Sequence, residues 1–155
     1  MSADAHVSLW IDGTPAPQGS KTGVRRGDRV VLIEGGSATG RRKHRAWRDA
    51  CTTAALPHRR PDTDAERPVE VEITFVLPLP KSYAKWRHGT EAYRKPDLDK
   101  LIRSTLDGLA DGGMLPGDDQ RVCRVTASKR YQAQGEAPGA YVDVWWMDEP
   151  QRGAA

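Results

Sequence analysis

The segment Lys95-Pro-Asp-Leu-Asp-Lys-Leu-Ile-Arg-Ser-Thr-Leu-Asp-Gly-Leu109, with the Gly117-Asp-Asp-Gln120 turn that follows it, decides how the chain is interpreted. Pro96 favours a helix that begins just after it, and Asp97 is a residue type that caps helix N-termini. A glycine pair beyond the segment predicts where this helix ends. The apolar residues have helical spacing and predict one buried stripe. They are Leu98, Leu101, Ile102, Leu106 and Leu109.

Four acids frame this helix. Asp97 and Asp99 flank its start, and Asp118 and Asp119 arrive after the turn, while Arg103 lies one turn beyond Asp99 on the same face. Gathered carboxylates raise each other's pKa, and a hard cation such as Mg²⁺ removes that conflict. The alternative is that these acids are only an N-cap, a favourable first-turn charge and turn residues. The spacing alone leaves both interpretations open.

Length and composition limit the class of protein. A chain of 155 residues predicts one domain with a real core, and 37% hydrophobic residues argue against disorder. No run approaches the ~18 apolar residues of a membrane span, and the start lacks the features of a signal peptide, so we expect a cytoplasmic protein with no membrane partner. The net charge of +3 is compatible with a nucleic-acid partner.

Two patterns that would indicate other chemistry are incomplete. Cys51 and Cys123 lie in apolar-patterned segments, so we expect small buried side chains rather than a disulfide or a zinc pair. Gly35 to Gly40 has the spacing of a phosphate loop, but Arg41 and Arg42 stand where the Lys and the Ser or Thr belong. We therefore expect no nucleotide cofactor.

The remaining patterns predict a single compact α+β domain over residues 1–147, with a mixed β-sheet and two main helices, and a flexible tail over 148–155. We expect the first two strands to form a hairpin or to be neighbours in the sheet, and the last two strands to form an antiparallel hairpin. The segment from Thr14 to Thr22 is expected to be an extended loop. The predicted strands are Val7–Ile11, Val30–Ile33, Val69–Leu77, Val122–Tyr131 and Tyr141–Trp146, and the first helix is Arg41–Leu56.

Basic residues concentrate in two segments. The first half of the Arg41–Leu56 helix is strongly basic, which indicates either phosphate binding or a solvated face. The connection over residues 78–94 interleaves basic and aromatic residues, which could follow a phosphate backbone and stack on unpaired bases, or could cover the core. The residues predicted to contact DNA are Lys21, Arg41, Arg42, Lys43, Arg45, Lys81, Lys85, Arg87, Lys100 and Lys129.

Two motifs, in this order, resemble the RusA family of Holliday junction resolvases, small nucleases of bacteria and their phages. One is the Gly13-Thr-Pro-Ala-Pro-Gln-Gly-Ser-Lys21 segment. The other is Lys95-Pro-Asp-Leu-Asp99, followed by Leu-Asp-Gly-Leu, then Asp118-Asp-Gln-Arg-Val122 and a strand that carries Lys129. The resemblance spans roughly Leu9 to Trp146.

The resemblance implies a compact RusA-like fold that acts as a homodimer, binds a four-way DNA junction and nicks two strands. It implies that Asp97, Asp99 and Asp119 are catalytic and hold Mg²⁺, with Mn²⁺ possible, and we add Asp118 as a further candidate ligand. Two positions depart from the family pattern, because Lys100 replaces an Asn and Arg103 replaces a Lys. Arg103 can supply charge in catalysis but is rarely a proton donor.

Three hypotheses follow. The first is a Mg²⁺-dependent endodeoxyribonuclease that resolves four-way junctions in recombination and repair, and we favour it. The second is a branched-DNA-binding module whose active site is weakened or inactive because of Lys100 and Arg103. The third is an interaction protein with incidental acids, which would show no salt-dependent DNA binding.

Overall fold

The structure, a computed structural model, describes residues 6–19, 21–34, 36–148 and 153. It is an α+β domain with two helices and a mixed sheet, as the sequence predicts. Four short 3-10 turns cover Leu56–His58, Asp62–Glu66, Lys85–Arg87 and Asp119–Arg121. The strands and helices are β1 (His6–Asp12), β2 (Lys21–Arg26), β3 (Arg29–Glu34), α1 (Ala38–Ala55), β4 (Val69–Leu77), α2 (Leu98–Asp111), β5 (Val122–Tyr131) and β6 (Gly139–Trp146).

The main sheet has the order β1-β6-β4-β5, in which only β4 and β5 are parallel. A parallel pair needs a crossover, and α2 lies in the connection between these two strands. The alternation in β4 buries Val69, Val71 and Ile73 in one core with residues of both helices, whereas Glu72 is exposed on the opposite face. The helices therefore cover one face of the sheet, and the start of α2 reaches one end of it.

The predicted strand pairings are wrong. β3 does not neighbour β1 but pairs with β2, which begins at Lys21 inside the predicted loop, and the two form a separate antiparallel ribbon. The last two strands form no hairpin. β6 lies between β1 and β4 because its alternate residues are buried, and the mostly exposed β5 lies at the sheet edge. These choices depend on contacts distant in sequence, which local patterns do not encode.

The helix ends follow local capping rules with one exception. α1 begins three residues before the predicted start because the Ser37 hydroxyl accepts a hydrogen bond of 3.1 Å from the Gly40 N–H. α2 ends at the predicted glycines, where Gly113 has φ +85° and the Met114 N–H donates to the Leu109 carbonyl over 3.1 Å. Asp97 occupies the N-cap position of α2, but its side chain makes no capping hydrogen bond. The predicted carboxylate cap is therefore wrong.

The two helices pack closely and run in the same direction. A Cβ added at Gly108 would lie 2.5 Å from Cys51 Cβ, and one added at Gly112 would lie 2.4 Å from Ala55 Cβ. One turn earlier, Trp47 Nε1 donates to Thr105 Oγ1 over 3.0 Å. Successive turns of α1 thus meet successive turns of α2. Both helix N-termini consequently point toward the same end of the domain.

The cysteine prediction is half right. Cys51 and Cys123 are both free, but only Cys51 is buried, and burial raises its pKa to about 12. Cys123 is exposed because β5 is an edge strand with one face turned to solvent. Within the described ranges, the helices are too short or too polar to cross a membrane.

Candidate active site

Asp97 lies in the turn that leads into α2. Its carboxylate is exposed, and its Oδ2 atom is 3.7 Å from Lys100 Nζ. Lys129, on β5, holds this turn from beneath. Its Nζ donates to the Arg94 carbonyl over 2.5 Å and to the Pro96 carbonyl over 2.7 Å. The position of Asp97 is therefore fixed by a lysine that was predicted to contact DNA.

The exposed face of α2 carries alternating charges at intervals of four residues, namely Asp99, Arg103 and Asp107. Asp99 and Arg103 are exposed. The Asp107 carboxylate lies 3.8 Å from Arg48 Nη1, and the same guanidinium donates from Nε to Asp111 over 2.8 Å. Residues four apart share a helix face. Arg103 is thus flanked by a carboxylate on either side, while Arg48 ties α1 to the end of this row.

Asp118 and Asp119 meet α2 through the turn before β5. Asp118 has φ +119° and ψ 166°, a region that almost only glycine adopts. Its carboxylate stabilises this backbone by accepting a hydrogen bond of 2.7 Å from the Asp119 N–H. Because Asp118 is held in this strained conformation by its own side chain, the backbone of Asp119 is also held in place. The turn therefore positions the side chain of Asp119.

The pKa of Asp119 is raised, chiefly because the carboxyl group is partly buried. A hydrogen bond with the Asp118 side chain and the charges of Asp118 and Asp107 raise it further. The Arg103 guanidinium opposes the shift. Asp119 is therefore a carboxylate under electrostatic conflict, with a cation at hand that relieves only part of it.

The structure gives charged neighbours for three of the four predicted acids, and the fourth, Asp99, is exposed on α2. Asp119 lies within electrostatic range of Asp118, Asp107 and Arg103, while Asp97 pairs with Lys100. Over the described residues, no three His, Cys, Asp or Glu side chains form a cluster that could hold a metal by themselves. The catalytic and metal-binding roles given to these aspartates stay predictions.

A cleft of about 710 Å³ lies beside Asp97. It opens between the proline-rich segment of residues 14–19, the first turns of both helices and the segment after β4. The Gln18 N–H donates to the Lys100 carbonyl over 3.3 Å, which ties the proline-rich segment to α2. Gln18 Oε1 is buried and has no hydrogen-bond partner in the part of the chain that the structure describes. Cations at the cleft are Arg41, Lys43, Arg94, Lys95 and Lys100.

Three of the cations predicted to contact DNA line this cleft, namely Arg41, Lys43 and Lys100. The four on α1 are exposed, and two of them line the cleft. Lys81 and Lys85 are also exposed, whereas Arg87 is half-buried among aromatic rings. The side chain of Lys21 lies outside the described residues. The four cations of α1 are Arg41, Arg42, Lys43 and Arg45.

The aromatic residues of the 78–94 connection were predicted either to cover the core or to stack on unpaired bases, and the structure places some of them on the core and others in solvent. Tyr83 packs against the core and meets Tyr131 edge to face, with 5.8 Å between ring centroids. Trp86 and Tyr93 are 72% and 69% exposed. One ring of the segment therefore covers the core, and two remain available to a partner.

Sequence reasoning missed Asp107 and the positioning role of Lys129. Asp107 could have been found, because it follows Arg103 by four residues on the same helix face. Lys129 gave no such signal. Its contacts join β5 to a turn more than thirty residues earlier in the chain.

In this mixed α+β domain one cleft is lined by Asp97 and by five cations, and a concentration of cations on one surface is typical of proteins that bind a polyanion. The model of the family Endodeoxyribonuclease RusA matches residues 12–144, and the chain belongs to this family. A similar protein is the "Uncharacterized protein YqaN" of Bacillus subtilis (strain 168). It is 24% identical over 136 residues, which cover 83% of this chain and 89% of the relative.

Proposed function

We propose that this protein is a metal-dependent endodeoxyribonuclease that resolves four-way DNA junctions by paired phosphodiester hydrolysis in recombination and repair. Membership of the family supports the nuclease activity. The observation that carries the site assignment is the environment of Asp119, a carboxylate placed near two others and near the Arg103 guanidinium. Such a conflict at an exposed edge is typical of a functional site.

The donor set fits a hard divalent cation. Asp97 and Asp99 offer exposed carboxylates, and a cation beside Asp119 would relieve the repulsion that raises its pKa. Mg²⁺ commonly takes only one or two protein carboxylates and completes its shell with water and substrate phosphate oxygens. A preformed cluster of three ligands is therefore not required. Asp97, Asp99 and Asp119 are the proposed ligands, of which one or two would suffice, and Asp118 lies beside Asp119.

When bound, the metal would polarise the phosphoryl group and lower the pKa of a water molecule. The residues of the chain do the rest. The Arg103 guanidinium faces the developing negative charge and stabilises it, without having to transfer a proton. Asp118 orients Asp119 by holding its backbone N–H, and Lys129 orients Asp97 through the carbonyls on either side of Lys95. The exposed cations of α1 bind the flanking phosphates.

One contact favours the second candidate function, a branched-DNA-binding module of weakened activity. Lys100 stands where the family pattern has an uncharged Asn, and its Nζ is 3.7 Å from Asp97 Oδ2. An ammonium group there competes with a metal for the same carboxylate. This contact is compatible with activity that needs more metal than usual.

The deciding experiment is a cleavage assay on end-labelled four-way junction and matched linear duplex. Each substrate is incubated with Mg²⁺, with Mn²⁺ and with chelator. The wild-type protein is compared with Asp97→Asn and with Glu72→Gln, which removes the same charge at an exposed position of β4, on the sheet face opposite to the core. We expect paired nicks in the junction that need a divalent metal and disappear only in Asp97→Asn.

Junction binding without cleavage under any metal would instead support the weakened module. Binding of neither substrate would support the interaction protein. Paired nicks need two active sites, so we propose a homodimer, which sedimentation at micromolar concentration would test. We place the protein in the cytoplasm, where bacterial DNA lies.

A further inference from the structure

An arginine–aromatic cluster lies next to the cleft and has no role in the mechanism described above. Arg87 Cζ lies 5.2 Å from the centroid of the Tyr83 ring and 5.1 Å from that of Trp86. Arg94 Cζ lies 5.5 Å from Tyr83 and 5.7 Å from Tyr93. Each distance is within the range of a cation–π interaction. Two guanidinium groups thus alternate with three rings on one surface.

The cluster presents apolar surface to solvent although its members interact with one another. Trp86 is 72% exposed and Tyr93 69% exposed. Arg87 Nη1 donates to the Tyr93 hydroxyl over 3.2 Å, which lowers the pKa of that phenol. Arg94 Nη1 donates to the Tyr83 hydroxyl over 3.1 Å. Rings that are held in place but not covered form a surface suited to a flat partner.

The backbone beneath the cluster is fastened to the sheet. The Gly89 N–H donates to the Gln132 carbonyl over 3.0 Å, and the Tyr131 N–H donates to the Thr90 carbonyl over 2.8 Å. The Ala92 N–H donates to the Lys129 carbonyl over 3.1 Å. These bonds anchor the segment on β5, so the cluster is preorganised and loses little conformational freedom when it binds.

A second cavity of about 310 Å³ is lined by four residues of the cluster, namely Tyr83, Trp86, Arg87 and Arg94. Tyr83 and Arg94 line both this cavity and the cleft beside Asp97. The two spaces are therefore neighbours that share a wall. A nucleotide chain whose phosphate lies at Asp97 could place an adjacent base on Trp86.

We propose that this cluster binds an unpaired nucleobase of branched DNA, which stacks on the Trp86 ring while Arg87 and Arg94 attract the adjoining phosphates. The inference deepens the proposed nuclease function and rests on it. A flat ring beside fixed positive charges matches a base that is attached to a phosphate. Bases inside a duplex have both faces covered, so the cluster favours DNA with unstacked bases, such as the centre of a junction.

The test measures binding in chelator, where no cleavage interferes, to four-way junction, single-stranded oligonucleotide and linear duplex of equal length. Trp86→Ala should weaken binding to the junction and the single strand about tenfold and leave duplex binding unchanged. Trp86→Phe should restore most of the loss. Leu56→Ala, which removes an exposed apolar side chain elsewhere, should bind all three substrates as the wild type does.

A second readout uses 2-aminopurine placed at the branch point or in an arm. The branch-point probe should be quenched by wild type and by Trp86→Phe but not by Trp86→Ala, and the arm probe should not respond. Equal weakening on duplex and single strand would overturn the proposal. Unchanged binding of all three substrates by Trp86→Ala would overturn it too, and would point to a protein partner or a second copy of the chain at this surface.

Failure of this inference can be told from failure of the nuclease proposal. Retained Trp86-dependent binding with no cleavage would leave the base site and remove the catalytic claim. Normal metal-dependent cleavage with no effect of Trp86→Ala on binding or quenching would remove the base site alone. Because Trp86 is exposed, we expect its variants to keep the wild-type melting temperature. Measuring this temperature for each variant shows whether it is folded.

Discussion

Replacement of Lys129 by Met tests whether this lysine positions the turn that carries Asp97 or binds a DNA phosphate. The sequence predicted a DNA contact, but the Lys129 ammonium donates two hydrogen bonds to the carbonyls of Arg94 and Pro96, at 2.5 Å and 2.7 Å. Methionine keeps most of the length of the unbranched side chain and removes the ammonium group that makes both hydrogen bonds. The change should therefore loosen the turn that carries Asp97 while the core beneath it remains packed.

The magnitude follows from the two bonds. A charge-assisted hydrogen bond contributes about 1.5–3 kcal/mol, and the partial exposure of Lys129 lets water replace part of each bond, so we expect a loss of about 1–3 kcal/mol in total. A catalytic group misplaced by about 1 Å can cost on the order of a hundredfold in rate. We therefore expect Lys129→Met to lower kcat by about 10- to 100-fold and to leave KM nearly unchanged.

The assay is steady-state cleavage of the four-way junction, together with binding measured over a range of salt concentrations. Lys85→Met serves as the matched control, because Lys85 is an exposed lysine with a predicted DNA contact. For the control we expect a higher KM, an unchanged kcat, and a salt slope reduced by about one. The same pattern in Lys129→Met would refute the positioning role and would show that Lys129 binds phosphate.

Three further predictions concern the helix contact, a partly buried ion pair and the metal. Gly108→Ala forces a methyl group against α1. The overpacking should cost about 1–3 kcal/mol, which exceeds the gain in helix propensity of about 1 kcal/mol, so the melting temperature should fall. The control is Gly40→Ala, where the added methyl group has room and the melting temperature should not fall. Glu136 has a pKa of about 2, because its carboxylate accepts from the Arg130 guanidinium. This depressed pKa stabilises the fold above about pH 4.5, and the contribution is lost as the pH falls toward 2. Urea unfolding should thus show that Glu136→Gln is less stable than wild type by about 1–2 kcal/mol at pH 7, a value reduced for the partial exposure of the pair. The difference in unfolding free energy should close near pH 2. A difference that stays constant with pH would contradict the depressed pKa of Glu136. Lys100→Asn removes the ammonium beside Asp97, so the metal concentration for half-maximal cleavage should fall severalfold, and an unchanged value would show that Lys100 does not compete.

The parts of the fold that the sequence predicted are those with local causes. α2 was placed correctly because a proline precedes it, its apolar spacing is regular, and Gly113 adopts the left-handed conformation that ends it. The predicted hairpin of the last two strands was wrong because it followed from their being consecutive in the chain, whereas β6 is paired with β1 and β4. Only their burial against distant elements decides which strand is central and which lies at the edge.

The candidate site divides in the same way. The aspartates could be proposed because their type and spacing suit a hard metal. The surroundings of these aspartates could not be predicted. The environment of Asp119 depends on Asp107 and Arg103 of α2, and the turn before β5 brings Asp119 within range of both. The absent side-chain cap at Asp97 has a related cause, since its carboxylate lies toward the Lys100 side chain instead of the free backbone N–H groups at the helix start.

The close contact between α1 and α2 explains how α2 can pack in the core on one side and contribute residues to the candidate site on the other. Gly108 lets the helices approach in parallel, so the basic first turns of α1 and the acidic first turn of α2 arrive at the same cleft. The positive ends of both helix dipoles then reinforce the attraction for phosphate there. The salt bridge from Arg48 to Asp111 holds this arrangement farther along the contact. The buried side of α2 therefore sets the distance between the cations that are proposed to bind DNA and the carboxylates that are proposed to cut it.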